Sequence, residues 1–448
     1  MSTKHLLTAV LAAVVLIAVA VLGRGTGETI ADSTTSGQSA ATAEGAAGDP
    51  TDVPEAQTAT AGAAENAAPA REAPVAGRLA RLTPDAAARG WQLFLDKRCI
   101  DCHAVWGRGG DQAPDLGAAS SGAISEGRLA AALWNHGPRM WTKIEDLKLP
   151  VEPISNEEME DIFSFFFYVR NMDAAGDPRL GRLAMLRHGC RECHQVSGRG
   201  GDLGPDLSKW ARYTNPVLWV QKMWEAGPAM REAMKEKGME WPVFAPGEIT
   251  DMIAYVRSVS PSSDKIYLQL GVPADGARLL QEKRCLSCHE VGGSGGEAPD
   301  LASVSLPGNI AEAAVNVLNH LPAMLTLMGE RGIEPQHINA QEMAHIVTYL
   351  LSQTYIEKSG NAEQGEAIFT AKGCIDCHGK GTQAAPALAT MHAEDSAAYF
   401  SHAVWNSGQK MLKELIADGQ HWPTLTHAEM LDVLAYMRSS AKAGPAGE

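Results

Sequence analysis

Hydrophobic and polar positions fall into three regimes along the chain. From Leu6 to Leu22 the residues are apolar except for Thr8, with Lys4 and His5 just before them. Seventeen such residues lie at the short end of a membrane-spanning helix and beyond a usual signal-peptide core. Residues 1–23 therefore read as a membrane anchor or a signal sequence. Ala18-Val19-Ala20 offers a cleavage site, but apolar residues continue past it. Residues 24–77 form the second regime, rich in Ala, Gly, Thr, Glu and Pro and without an aromatic residue. Ile30, Val53 and Val75 are its only large aliphatics, too few to offset chain entropy, so a disordered linker is expected. As a flexible coil it would span about 40 Å root-mean-square. A tether of that length makes most sense with its start held, which favours the uncleaved anchor.

From residue 78 onward a helical period takes over and recurs four times. SNEEMEDIFSFFFYVR, APGEITDMIAYVRSV, NAQEMAHIVTYLLSQ and THAEMLDVLAYMRSS read as amphipathic helices. Three open on a capping-box pattern, at Ser155–Glu158, Asn339–Glu342 and Thr426–Glu429. Phe165, Tyr255, Tyr349 and Tyr436 occupy one recurring position in these helices and read as core residues. Each repeat also begins with a short helix. Thr83-Pro84 and Asp177-Pro178 are cap-then-proline starts, and Asn361 with Gln364 reads as a capping box. Each short helix carries a glycine, namely Gly90, Gly181, Gly276 and Gly365. Glycine within a helix costs about 1 kcal/mol against Ala. Its recurrence predicts a second helix crossing closely there. The expected architecture is all-α: domains at 78–174, 175–262, 263–357 and 358–448, after the N-terminal helix and the linker at 24–77. Repeats of this size are short of a self-sufficient core and usually need a staple.

Charge narrows the partners. The net charge is −15; residues 1–23 carry +1 and the linker −6, which leaves −10 on the repeats. Such a chain has no surplus cations to neutralise phosphates, so nucleic acid is excluded as a partner.

The cysteines name the staple. All eight fall in four C-x-x-C pairs: Cys99 and Cys102, Cys190 and Cys193, Cys285 and Cys288, Cys374 and Cys377. His103, His194, His289 and His378 follow the pairs directly. A zinc site would need a second pair or two histidines nearby, yet the first cysteines stand 89 to 95 residues apart. A thioredoxin-like site does not call for the adjacent histidine. C-x-x-C-H is the attachment signature of c-type haem: the thiols form thioethers to the porphyrin vinyl groups and the histidine binds iron. Four covalently bound haem c groups are expected.

Loops GRGGDQAPDL, GRGGDLGPDL, GSGGEAPDL and GKGTQAAPAL follow the motifs. With the glycine-bearing first helix and the aromatic-bearing last one, the pattern resembles the class I cytochrome c family, four times over from residue 79 to about 440. The resemblance implies that the carbonyls of Pro114, Pro205, Pro299 and Pro386 take the histidine N–H, with Pro386 on a shorter loop that lacks the Asp. It also implies a distal methionine.

Recurrence picks out that methionine. WNHGPRM, WEAGPAM, LNHLPAM and WNSGQKM end at Met140, Met230, Met324 and Met411, 37, 36, 35 and 33 residues after their histidines. Four positions earlier stand His136, Ala226, His320 and Ser407, so a histidine is available in only two repeats. Met234, Met239 and Met328 compete through a shifted loop, and the WP pairs at Pro242 and Pro423 suit a rigid loop that holds the methionine. His188, His337, His345 and His392 read as ordinary surface or core residues.

His/Met ligation would fill both axial positions and raise the reduction potential. The expected function is electron transfer between redox proteins in a periplasmic respiratory or photosynthetic chain, with the domains held at the bacterial cytoplasmic membrane. If the N-terminus is cleaved, the protein is soluble in the periplasm instead. A second reading is the cytochrome subunit of a larger membrane oxidoreductase, such as a cytochrome b/Rieske complex or a terminal oxidase or reductase. A haem peroxidase would need one repeat to lose its methionine. No acid–base or nucleophilic catalyst is called for.

Overall fold

The computed structural model describes residues 72–117, 124–171, 176–209, 216–260, 270–293, 297–302, 310–379, 381, 385–387 and 397–442. The expected anchor and residues 24–71 of the expected linker lie outside them. Among the described residues, no helix is long and apolar enough to cross a membrane.

Helix α1 (Glu72–Arg81) begins within the stretch expected to be disordered. Tertiary contact explains it: Leu79 is buried, and Arg78 pairs with Glu126 at 2.7 Å. The first repeat contains α2 (Pro84–Asp96), the hairpin β1 (Ala104–Val105) and β2 (Arg108–Gly109), α3 (Glu126–Asp146) and α4 (Asn156–Arg170). The second contains α5 (Pro178–Arg187), β3 (Gln195–Val196), β4 (Arg199–Gly200), α6 (Pro216–Glu236) and α7 (Glu248–Val259). The third contains α8 (Pro273–Glu282), α9 (Ile310–Glu330) and α10 (Ala340–Tyr355). The fourth contains α11 (Ala362–Ala371), the short α12 (Cys374–His378), α13 (Ala397–Ala417) and α14 (His427–Lys442).

The caps form largely as the sequence implies. Thr83 and Asp177 accept the N–H groups of Ala86 and Arg179. Ser155–Glu158 and Asn339–Glu342 close reciprocal capping boxes. Thr426 and Glu429 exchange the same two bonds, at 2.8 and 3.2 Å. Asn361 departs from expectation. Its side chain caps α11, but its own N–H donates to Asp432 on α14 at 2.7 Å rather than to Gln364. Asp177 N–H likewise reaches Asp251, and Val272 N–H reaches His345 Nδ1. The first helix of these repeats is thus pinned to the last.

The glycine crossings are present in all four repeats. A Cβ on Gly90, Gly181, Gly276 or Gly365 would fall 1.9 to 2.1 Å from the backbone oxygen of Asp161, Asp251, His345 or Asp432. Only a hydrogen fits between these backbones, which is why a residue poor for helices recurs in each one.

The long helices do not all pair with their chain neighbours. The long helix α3 of the first repeat lies against α13 of the fourth, and α6 of the second against α9 of the third. The contacts are reciprocal. Asn135 and the backbone of Leu425 exchange bonds of 2.7 and 2.9 Å, and Asn406 does the same with Ile154 at 2.7 and 3.0 Å. Asn319 bonds both backbone groups of Phe244, at 2.8 and 2.9 Å. Trp134, Trp224 and Trp405 donate their indole N–H groups to Pro423, Gln336 and Glu152 of the opposite repeat.

Prolines inside the long helices make this exchange possible. A helical proline has no N–H, so the carbonyl four residues earlier loses its partner. Pro138 frees the carbonyl of Trp134, which accepts from Trp422 at 3.0 Å. Pro322 frees the carbonyl of Leu318, which accepts from Trp241 at 3.1 Å. The two pairs are then joined between the first and third repeats. Tyr168 donates to the carbonyls of Leu82 and Gly271, and Tyr355 donates to that of Phe163.

Candidate functional site

Each C-x-x-C-H motif opens after a forced reversal of the backbone. The residue before the first cysteine is left-handed in every repeat, with φ of 62° at Arg98, 66° at Gly189, 63° at Arg284 and 76° at Gly373. This ends the first helix and swings the cysteines round. In the first three repeats the motif then forms a short 3₁₀ turn; in the fourth it forms α12. The histidine N–H bonds back to the first cysteine carbonyl at His103, His194 and His289, which sets the imidazole on the same turn as the thiols.

All four histidines meet the proline that follows them. His103 Nδ1 lies 2.9 Å from the Pro114 carbonyl, His194 3.0 Å from Pro205, His289 2.9 Å from Pro299 and His378 3.0 Å from Pro386. The short fourth loop makes the bond as well as the others do. A carbonyl accepts only, so Nδ1 carries the proton and Nε2 keeps its lone pair for a metal. Asp115 fixes the first loop by accepting from the N–H groups of Trp106, Gly107 and Gly117, and Asp300 accepts from Gly292 and Ala302. Gly204 lies flat against His194, whose ring would stand 2.4 Å from a Cβ there.

The thiols are free and half-buried, and burial pushes Cys99 and Cys190 up to about 11 and raises Cys285 and Cys374. The apolar surroundings of the first thiol of each pair disfavour the thiolate that zinc binding requires. Among the described residues, no three His, Cys, Asp or Glu side chains converge as a bare metal site. Beside His289 a cleft of about 510 Å³ is lined by Leu280, Leu286, Val291, Gly292 and Tyr349. A cleft with the His289 imidazole and Glu290 among its aliphatic walls, next in the chain to Cys285 and Cys288, fits a covalently held haem. It also corrects one expectation: Tyr349 faces this cleft rather than serving only as core.

The methionines lie on helices, not on the expected rigid loop. Met140, Met230, Met324 and Met411 sit half-buried on α3, α6, α9 and α13. The WP loops serve the opposite repeat instead, as Trp241 and Trp422 show. Burial lowers the protonation tendency of His103, and His136 stands near enough to lower it further against the pull of the Pro114 carbonyl. Met140 lies one turn beyond His136 on α3, so the two share one face of that helix. Met411 packs in the apolar cluster that includes Cys374 and Ile375.

That clustering crosses between repeats, which the sequence did not signal. Cys374 belongs with Ala130, Ala131 and Trp134 of the first repeat. Cys190 belongs with Val315 and Leu318 of the third, and Cys285 with Val217, Val220 and Trp224 of the second. The core behind each of these motifs therefore includes the long helix of its pair partner. The paired WN and LN residues, chosen in sequence only as the approach to a methionine, carry this function.

The family model described as Cytochrome c matches the chain four times, at residues 87–167, 180–260, 273–354 and 362–441. Searches of curated proteins and of solved structures returned no match.

Proposed function

The chain belongs to the cytochrome c family, and from that premise we propose that it relays electrons between other redox proteins outside the cytoplasm. The four domains carry four covalently bound haem c groups, which supply a one-electron carrier when bound. The observation that carries the reading is fourfold: a C-x-x-C-H turn whose histidine is held by a proline carbonyl at 2.9 to 3.0 Å. That bond sets tautomer and orientation, and raises the basicity of the ligating nitrogen.

Met140, Met230, Met324 and Met411 are the sixth ligands in this reading. If these methionines and the histidines bind the iron together, the haem would favour the ferrous state and supply one-electron transfer, which supports an electron carrier. Residues 1–23 hold the domains to a bacterial cytoplasmic membrane in a respiratory or photosynthetic chain, and residues 24–71 let them reach partners.

Pairing decides the internal route. Electron tunnelling falls steeply with distance, and the cores behind Cys374, Cys190 and Cys285 include the long helix of the first, third and second repeats, while Cys99 packs within its own repeat. In this reading, exchange within those pairs is faster than exchange between the first and second or the third and fourth repeats.

A haem-to-protein assay on denatured protein tests the foundation. Four covalent haems per chain are expected, and two would overturn the reading. Changing each methionine in turn to histidine should lower one reduction potential and remove a share of the thioether–iron band in the near infrared. An unchanged spectrum for any one variant assigns that iron to another ligand.

A further inference from the structure

The second repeat carries a surface that its three siblings lack. On α5, Gly181, Ala184 and Met185 face the core, while Leu180, Leu183 and Leu186 stand 53%, 57% and 46% exposed. Their spacing of three puts them along one side of the helix. The corresponding positions hold Arg89, Gln92 and Leu95 in the first repeat. They hold Asp275, Arg278 and Gln281 in the third, and Gln364, Ala367 and Thr370 in the fourth. Leu203, 62% exposed, adds a fourth side chain from the loop after the haem motif. It directly precedes Gly204, which lies against the His194 ring. The apolar surface therefore extends to the rim of the second haem site.

Charge marks the same place. From Gly176 to Lys209 there are six cations and four acids, a balance of +2. The equivalent stretches 85–118, 271–304 and 360–393 balance at −1, −2 and −1, in a chain of −15. Arg179 and Arg187 flank the leucines with side chains 89% and 64% exposed, paired with Asp177 and Glu248, and Arg182 lies exposed between them. Four large exposed aliphatics inside a basic rim are not incidental surface.

We propose that this face of the second repeat is the docking surface for a redox protein that presents an apolar centre within an acidic rim. The proposal rests on the electron-transfer reading and names where an electron enters or leaves. The chain's own residues 24–71 offer seven acids but only Ile30 and Val53 as large aliphatics, which cannot cover four leucines. A lipid surface would meet the leucines and arginines but would bury the rim beside His194, where a redox partner must approach. With every other haem-side stretch acidic, an acidic partner is steered here and turned away elsewhere.

The test uses the full chain with its haems and a redox-inert probe, a zinc-substituted acidic blue-copper protein. Isothermal titration at 10 mM salt should show binding that L180S/L183S/L186S weakens at least tenfold, as should R182E/R187E. R278S/Q281S in the third repeat should bind as wild type does. Circular dichroism and the Soret band of each variant confirm that the fold and haem sites are intact. Equal binding by wild type and the leucine variant overturns the proposal, as does absence of binding by wild type. Two other occupants give their own signatures. A leucine variant that loses binding only to phosphatidylglycerol vesicles identifies a membrane face. One that converts a sedimenting dimer to monomer identifies a second copy of this chain. Either result overturns the proposal. Reduction by dithionite, followed at the haem bands, is independent of docking. Its failure would count against the electron-transfer reading instead.

Discussion

Trp422 donates its indole N–H to the carbonyl of Trp134 at 3.0 Å, and the two rings stand 4.5 Å apart. The carbonyl is available because Pro138 cannot bond it. A defect in a helix of the first repeat is thus satisfied by a loop of the fourth, 288 residues along the chain.

This linkage predicts a non-additive pair. W422F keeps a ring but leaves the Trp134 carbonyl unpaired, and should cost about 1–3 kcal/mol of stability. In a P138A background the restored helix N–H takes that carbonyl, so the same change should cost well under half as much. Denaturant unfolding of the four proteins gives the coupling. Equal costs in both backgrounds would show that the indole bond contributes nothing.

The glycine crossings predict opposite effects for one substitution. G365A would put a methyl 2.0 Å from the Asp432 oxygen, and forcing the helices apart should cost at least about 1–3 kcal/mol. G77A, at an exposed position of α1 where an added Cβ meets no heavy atom within 4 Å, should be neutral or gain about 1 kcal/mol. Thermal unfolding of both variants decides whether close approach, and not helix propensity, explains these glycines.

Acid should loosen the fourth repeat through Glu429. Lys372, at 2.8 Å, and the Thr426 N–H hold its carboxyl below the ordinary value of 4.5. A carboxyl depressed by folding stabilises above its unfolded value and loses that contribution as pH falls through its folded value. Stability should therefore be level above about pH 5.5 and decline below 4.5. K372A should make that decline shallower, as measured by melting temperature across a pH series from 6 to 3. The second repeat replaces this lysine with His188, which bonds Glu248 at 2.9 Å.

Domain pairing predicts which potentials move together. M411H, which alters the fourth site, should shift the potential of the first site more than those of the second and third. Potentiometric titration resolved by magnetic circular dichroism or paramagnetic NMR reads this directly. A larger secondary shift at the third site, the chain neighbour, would mean that sequence order sets the coupling.

Much of each repeat was legible in the residues because its determinants are local. A C-x-x-C-H turn, a cap such as Thr83 or Ser155 and a glycine at a fixed offset each act within a few residues. Their fourfold recurrence also separated signal from chance. Even the close helix crossing could be read, since a glycine inside a helix needs a reason. What could not be read was the partner of each outward face. Trp134 and Asn135 looked like the approach to a ligand, and the WP pairs looked like supports for a methionine. Only the tertiary structure shows that they clasp a repeat distant in sequence. Nothing in the local pattern of α3 distinguishes α13 from α6 or α9 as its neighbour, because all four long helices descend from one repeating pattern. The choice rests on whether a freed carbonyl at Trp134 or Leu318 meets an indole at Trp422 or Trp241, a match of groups that exists only once both repeats have folded.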